Sequence, residues 1–322
     1  MREDKVKVII DCDTGIDDMI SFALSLASDK LDVIGVTTVA GNQSVDKTTF
    51  NTLNALEIMG RTEIPLAQGE SHPLERPLED AGYIHGETGL GTYCFEQPTE
   101  KKPVEEKASD FIYKKLMESD EKVAIMALAP LTNIAKLLME HEDCKGKIDK
   151  IVFMGGSIRT GNPTPVSTFN VLADPEAARL VMQSGVPFYM CPLDTTKELY
   201  FTDEDIEEIG KIKNPVAQMN YQLCSFYNAT VNESNNAKAR FKGLCVHDLC
   251  TAAYLTNPEC FTGVKYYADV ETQGELTTGM TVIDYENIMQ KTEEERNIVY
   301  LDSVNRERIM EEYFRALRSY TK

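Results

Sequence analysis

Apolar residues along the first 200 positions follow two alternating patterns. Short, nearly unbroken apolar runs, rich in Val, Ile and aromatic residues, lie at 6–10, 31–39, 123–126, 148–154 and 187–190. Between them lie stretches with helical spacing, such as Ile20, Ala23, Leu24 and Ala27 within 17–27, and others at 45–59, 131–139 and 175–183. Strands that read as continuous hydrophobic runs and are separated by helices predict a parallel sheet covered on both faces. The fold class is therefore α/β, with an open, mainly parallel, Rossmann-like sheet flanked by helices. Beyond position 200 the pattern is mostly helical, with short β runs near 264–270 and 280–283 and a closing helix over 305–318. No linker composition or internal repeat interrupts it, so 1–322 reads as one domain.

Two segments break the alternation. Residues 68–103 are rich in Gly, Pro and charge and contain Tyr83-Ile84-His85-Gly86-Glu87-Thr88-Gly89; residues 155–172 form a second polar connection. Long connections in a compact chain tend to carry function.

Composition narrows the partners. With 33 Lys+Arg against 52 Asp+Glu the formal net charge is −19, which argues against nucleic acid or an anionic membrane surface, both polyanions. No apolar run reaches the roughly 18 residues needed to span a bilayer, and residues 1–7 are charged without a signal-peptide core, so a soluble, cytoplasmic protein is expected. The eight cysteines, Cys12, Cys94, Cys144, Cys191, Cys224, Cys245, Cys250 and Cys260, include no C-x-x-C pair and read as reduced structural thiols.

The strongest chemical signal is Asp11-Cys12-Asp13-Thr14-Gly15-Ile16-Asp17-Asp18, four carboxylates in eight residues at the end of a buried strand. Open α/β sheets bind ligands at that edge. Two carboxylates about 4 Å apart repel by roughly 4 kcal/mol at an effective dielectric of 20, so converging ones need protons, a helix N-terminus or a metal. Oxygen ligands suit Ca²⁺ or Mg²⁺. One alternative is an ordinary helix start with solvated acids. Another is a resemblance to haloacid-dehalogenase-type phosphatases, with Asp11 as nucleophile and Asp13 as acid/base. That family needs a late acidic pair, whereas the only Asp-Asp here is Asp17-Asp18 and no Gly-Asp occurs.

Six segments in order carry a second resemblance. Asp11 to Asp18 is followed by Thr37-Thr38-Val39-Ala40-Gly41-Asn42, Pro130-Leu131-Thr132-Asn133-Ile134-Ala135, Met154-Gly155-Gly156, Phe169-Asn170 with Asp174-Pro175-Glu176-Ala177-Ala178, and Val246-His247-Asp248. Together they resemble the nucleoside hydrolases of the inosine–uridine-preferring type. The resemblance implies that family's fold and Ca²⁺-dependent hydrolysis of the N-glycosidic bond of a ribonucleoside, with a homodimer or homotetramer as the assembly. It implies a Ca²⁺ site made by Asp13, Asp18, Asp248 and the carbonyl of Leu128. Asp17, Asn42, Asn162 and Asn170 would bond the ribose hydroxyls, with Met154 beside the sugar. Asp13 would be the general base on water and His247 the general acid to the leaving base. His85 matches a loop histidine of pyrimidine-preferring members.

The chain departs from the family pattern at Thr168, where a Glu reaching the ribose 5′-hydroxyl is usual. The shorter, uncharged Thr168 is expected to grip the 5′ end less tightly, or to signal a substrate altered at C5′. A non-catalytic nucleoside sensor is the other class of function, opposed by the presence of both Asp13 and His247. The absence of Trp and the presence of His247 disfavour the family's purine-specific branch, which stacks the base between Trp rings. Base contacts and a flap are expected from 221–242, including Asn232, Asn235, Asn236 and Ala237. Tyr221, Phe226 and Tyr227 read as core residues of a helix there.

Overall fold

The computed structural model describes residues 5–233 and 242–321. The expected Asn- and Ala-rich flap centred on 235–237 lies outside them. An eight-stranded sheet forms the centre. Its first strands in chain order are β1 (Val6–Cys12), β2 (Leu31–Thr38), β3 (Leu66–Gln68), β4 (Val123–Ala127), β5 (Ile148–Met154) and β6 (Phe188–Cys191). They lie in the order β3-β2-β1-β4-β5-β6 and pair in parallel. Strand Ile298–Val304 extends the sheet in parallel beyond β6, and Phe261–Tyr266 closes that edge antiparallel. Two buried apolar clusters cover the sheet's faces, as expected of parallel strands wrapped by helices. The mainly parallel α/β reading is the observed architecture.

Strand Ile298–Val304 was not expected from the pattern. Its sequence, Ile-Val-Tyr-Leu-Asp-Ser-Val, ends in polar residues and follows a strongly charged stretch, so the apolar run is only four residues long. Partners on both sides make it a strand. The cysteines are all free thiols, and no described helix is long and apolar enough to cross a membrane.

Strand order reverses between β1 and β4, so the chain leaves these neighbours in opposite directions and opens a crevice at their C-terminal ends. This topological switch point is where doubly wound sheets bind ligands. β1 runs two residues beyond the expected 6–10, so Asp11 pairs with Thr37 and Ala127 inside the sheet. All ten residues of the helix Ile16–Ser25 are buried. That helix packs on the helix Leu249–Thr256, and the Ser21 hydroxyl donates to the Asp248 carbonyl (3.1 Å). A helix that is buried all round belongs to the core, and this packing brings a residue 230 positions away onto the acidic cluster.

Candidate active site

Each strand end delivers one part of the site. After β1, Gly15 starts the helix Ile16–Ser25, and its N–H donates to Asp18 Oδ2 (2.9 Å) while the Asp13 N–H donates to Asp18 Oδ1 (3.3 Å). After β2, Asn42 is a brace. Its N–H donates to Asp13 Oδ2 (2.7 Å), and its Nδ2 donates to Asp13 Oδ1 and Asp18 Oδ2 (both 3.2 Å). Gly41 makes this approach possible, because a Cβ there would sit 2.1 Å from Asp13 Oδ2. Beneath the site, Asp11 Oδ1 accepts from the Thr37 hydroxyl (2.5 Å) and Asn133 Nδ2 (2.7 Å), and Asn133 also donates to the Thr38 carbonyl (2.9 Å). Asp11 is therefore part of the sheet's internal wiring.

Above this floor lies a cavity of about 230 Å³. Of the residues singled out from sequence, Asp17, Asn42, His85, Leu128, Met154, Asn162, Asn170, His247 and Asp248 line it. Asp13 and Asp18 are completely buried just below. Asn170 spends both amide hydrogens behind the wall, on the carbonyls of Leu128 (2.6 Å) and Met154 (3.0 Å), leaving Oδ1 to accept from a ligand. Asn42 is committed in the same way, so it too offers an acceptor only. Asn162 has the opposite polarity: its Oδ1 accepts the Phe169 N–H (3.0 Å), leaving its amide hydrogens free.

One expectation changes, and a second is qualified. Thr168 does not line the cavity; it is buried, and its hydroxyl accepts the Gly156 N–H (2.9 Å), tying the loop after β5. The carboxylates whose oxygens lie within 4.8 Å of one another are Asp17, Asp18 and Asp248. Asp13, expected as a ligand, is not in that trio; both its oxygens accept hydrogen bonds from Asn42. Asp17 Oδ1 is buried with no hydrogen-bond partner among the described residues. An orphaned carboxylate oxygen among two further acids fits a hard divalent cation, with the second lone pair of the Leu128 carbonyl within the same wall.

The electrostatics express the same crowding. Burial, and then the Asp17 charge, pushes the Asp18 carboxyl up to about 7. Asp13 is held well above the usual carboxylate range by burial and by Asp18, and Asp248 by burial and by Asp17, Asp18 and Asp13. His85 is buried and His247 is half-buried. Burial lowers His247 to about 4 and lowers His85 as well, in each case against the pull of Asp17. Both are therefore neutral near pH 7. The Ile16 N–H donates to His85 Nδ1 (3.1 Å), so that ring carries its proton on Nε2.

The wall also holds residues that sequence reasoning passed over, among them Tyr83, Phe169, Leu193, Lys197 and Cys245. Tyr227 belongs to the buried core, as read, and also lines the cavity, its ring 6.1 Å from that of His85 and tilted by 39°. Of its neighbours, Phe226 lies against Gly91, and Tyr221 is exposed beside Gly210. Position on a helix could not separate these roles. Leu193 and Lys197 had a usable signal, since they follow a parallel strand at its C-terminal end.

Buried carboxylates under a cavity walled by two histidines, at the switch point of a parallel sheet, define a small-molecule enzyme of the α/β class. The family is given by comparison: residues 8–311 match the model of the inosine-uridine preferring nucleoside hydrolases, and the chain belongs to that family. It is thus a hydrolase of N-glycosyl bonds, a ribonucleoside hydrolase. It is 43% identical over 314 residues to the pyrimidine-specific ribonucleoside hydrolase RihA of Photobacterium profundum, covering 97% of this chain and 99% of that one. Against RihA of an Enterobacter species the identity is 45% over 278 residues, 86% and 88% of the two chains. Among solved structures it resembles the plant nucleoside hydrolase PpNRh1 (TM-score 0.91, 28% identity, 98% and 100% covered). It also resembles the purine-preferring ribonucleoside hydrolase of Gardnerella vaginalis (TM-score 0.89, 25% identity, 97% and 98% covered).

Proposed function

We propose that the protein hydrolyses pyrimidine ribonucleosides, releasing free base and ribose, with Ca²⁺ as its cofactor. The observation that carries this reading is the convergence of Asp17, Asp18 and Asp248, with the orphaned Asp17 Oδ1, below a cavity that also contains His85 and His247. Asp17, Asp18, Asp248 and the Leu128 carbonyl would hold the cation, with Asp13 the neighbouring carboxylate. When bound, Ca²⁺ supplies positive charge that orients vicinal ribose hydroxyls and acidifies a water.

The chain's own residues would do the rest. Asp13, aligned by Asn42, takes a proton from the water as its oxygen attacks C1′. The bond from C1′ to the base nitrogen breaks with the electron pair leaving on the base. His247 offers its Nε2 hydrogen as a hydrogen bond to the base as negative charge builds there, a contact worth on the order of 10²–10³-fold. The departing base anion takes its proton from solvent, to which Asp13 returns the one it removed. The ribosyl carbon is cationic in such a transition state, and the fixed carboxylates below stabilise it more than the neutral ground state. Asn162 offers hydrogens and Asn170 an oxygen to the sugar, and Met154 packs beside it.

Pyrimidine preference is supported by the relatives named pyrimidine-specific at 43 and 45% identity and by the lack of Trp to sandwich a purine. The test is ribose release from uridine, cytidine, inosine and adenosine, before and after metal removal. Turnover of uridine and cytidine that falls on metal removal and returns with Ca²⁺ is expected. Faster turnover of the purines, or indifference to the metal, would overturn the reading.

A further inference from the structure

We propose that Thr196 is a positioning residue for this hydrolysis: its hydroxyl fixes the His247 ring with the proton on Nε2, toward the leaving base. The inference rests on the reading of His247 as the donor to that base. Thr196 is completely buried at the end of the short helix Leu193–Thr196, which follows β6. Its Oγ1 lies 2.8 Å from His247 Nδ1. Among the described residues the competing acceptor for that hydroxyl is the Leu193 carbonyl, at a long 3.4 Å. That carbonyl already accepts the Lys197 N–H (3.2 Å). The hydroxyl has one hydrogen, and Nδ1 is both the nearer acceptor and the one without another partner. With Nδ1 accepting, a neutral imidazole must carry its hydrogen on Nε2.

The platform beneath Thr196 is rigid. Asp194, two residues earlier, accepts from the Tyr300 hydroxyl (2.5 Å), the Ser157 hydroxyl (3.1 Å) and the Ile158 N–H (2.8 Å). The Thr195 hydroxyl donates to the Leu301 carbonyl. Both Tyr300 and Leu301 belong to the strand Ile298–Val304, so the C-terminal part of the sheet anchors the group that orients the histidine. Thr is β-branched and stiff about its first side-chain torsion, which limits where the hydroxyl can point. In the other tautomer the ring would offer Nε2 as a lone pair to a base that is gaining negative charge, and the contact would become repulsive.

The experiment compares Thr196→Val and Thr196→Ser with wild type in Ca²⁺, using uridine and p-nitrophenyl riboside, whose leaving group needs no proton. Thr196→Val is expected to lose about tenfold or more in kcat/KM on uridine, the scale of losses when the partner that orients a functional histidine is removed. On p-nitrophenyl riboside the same variant should lose less than about twofold, and Thr196→Ser should recover uridine turnover to within about threefold. Nitrogen-15 spectra of the wild-type protein should show His247 protonated at Nε2. Equal losses on both substrates, no loss on uridine, or a proton on Nδ1 would each overturn the proposal. His247→Ala separates the two levels. If it spares p-nitrophenyl riboside while Thr196→Val leaves uridine turnover intact, only the Thr196 inference fails. If His247→Ala strikes both substrates equally, the donor role of His247 fails and the inference with it.

Discussion

Cation binding and pH should be linked through the acidic floor. In the metal-free protein, Asp18 has a carboxyl raised from 3.8 to about 7 by burial and by Asp17. A raised acid holds its proton more tightly when folded than when unfolded. Stability of the metal-free protein should therefore fall as pH rises from about 4 to about 7, and level off above. Three pH units at 1.36 kcal/mol each put the full cost of ionising this one group at roughly 4 kcal/mol. Asp13 and Asp248 shift in the same direction. A cation held by Asp18 and its neighbours offsets that cost only where the carboxylates are ionised. For a chain of 322 residues, an unfolding entropy near 2.1 cal/mol/K per residue converts 4 kcal/mol to about 6 °C in Tm. The assay is calorimetric unfolding of dialysed, metal-free protein with and without 5 mM Ca²⁺, a concentration of roughly the order that saturates weak sites, at pH 5, 6.5 and 8. The Ca²⁺-dependent gain should be several degrees larger at pH 8 than at pH 5. Asp18→Asn, without Ca²⁺, should melt above metal-free wild type at pH 8. A gain equal at all three pH values, or none at any, would refute the reasoning.

Asp13→Asn keeps the shape but loses the base, so kcat should fall by about 10²–10⁴-fold with uridine affinity changed only a few-fold, measured by steady-state kinetics and calorimetric titration. Gly41→Ala would place a methyl group against Asp13 Oδ2 and should lower kcat by about tenfold or more by displacing that carboxylate, with the circular dichroism spectrum retained. Asn133→Ala removes one hydrogen bond each from the Asp11 carboxylate and the Thr38 carbonyl, which keep the Thr37 hydroxyl and the Gly69 N–H, and leaves the Glu70 N–H without its side-chain partner. It should destabilise the protein by about 3 kcal/mol in urea unfolding.

The layered architecture, and the edge of the sheet that carries the candidate site, were legible in the chain's pattern alone. Continuous apolar runs separated by helical stretches mark strands buried on both faces, and acids placed directly after the first of them lie at the sheet's C-terminal end. That local signal was readable because strand, turn and helix start are adjacent in the chain. Other features depended on partners far along it. The strand Ile298–Val304 has a short apolar run and exists because β6 and Phe261–Tyr266 flank it. That Asp248 meets Asp17 and Asp18 was decided by the packing of helix Ile16–Ser25 on Leu249–Thr256, and that Asp13 is braced beside them by Asn42, from the next strand. Thr168 stands at a position where a pocket residue was expected, yet its hydroxyl is taken by Gly156, and Tyr227, in the core as expected, also reaches the cavity. A sequence motif specifies residue types and spacing along one backbone. Hydrogen-bond partners are shared across strands, and each donor can be used only once, so the direction in which a side chain points is settled when the tertiary structure assigns those partners.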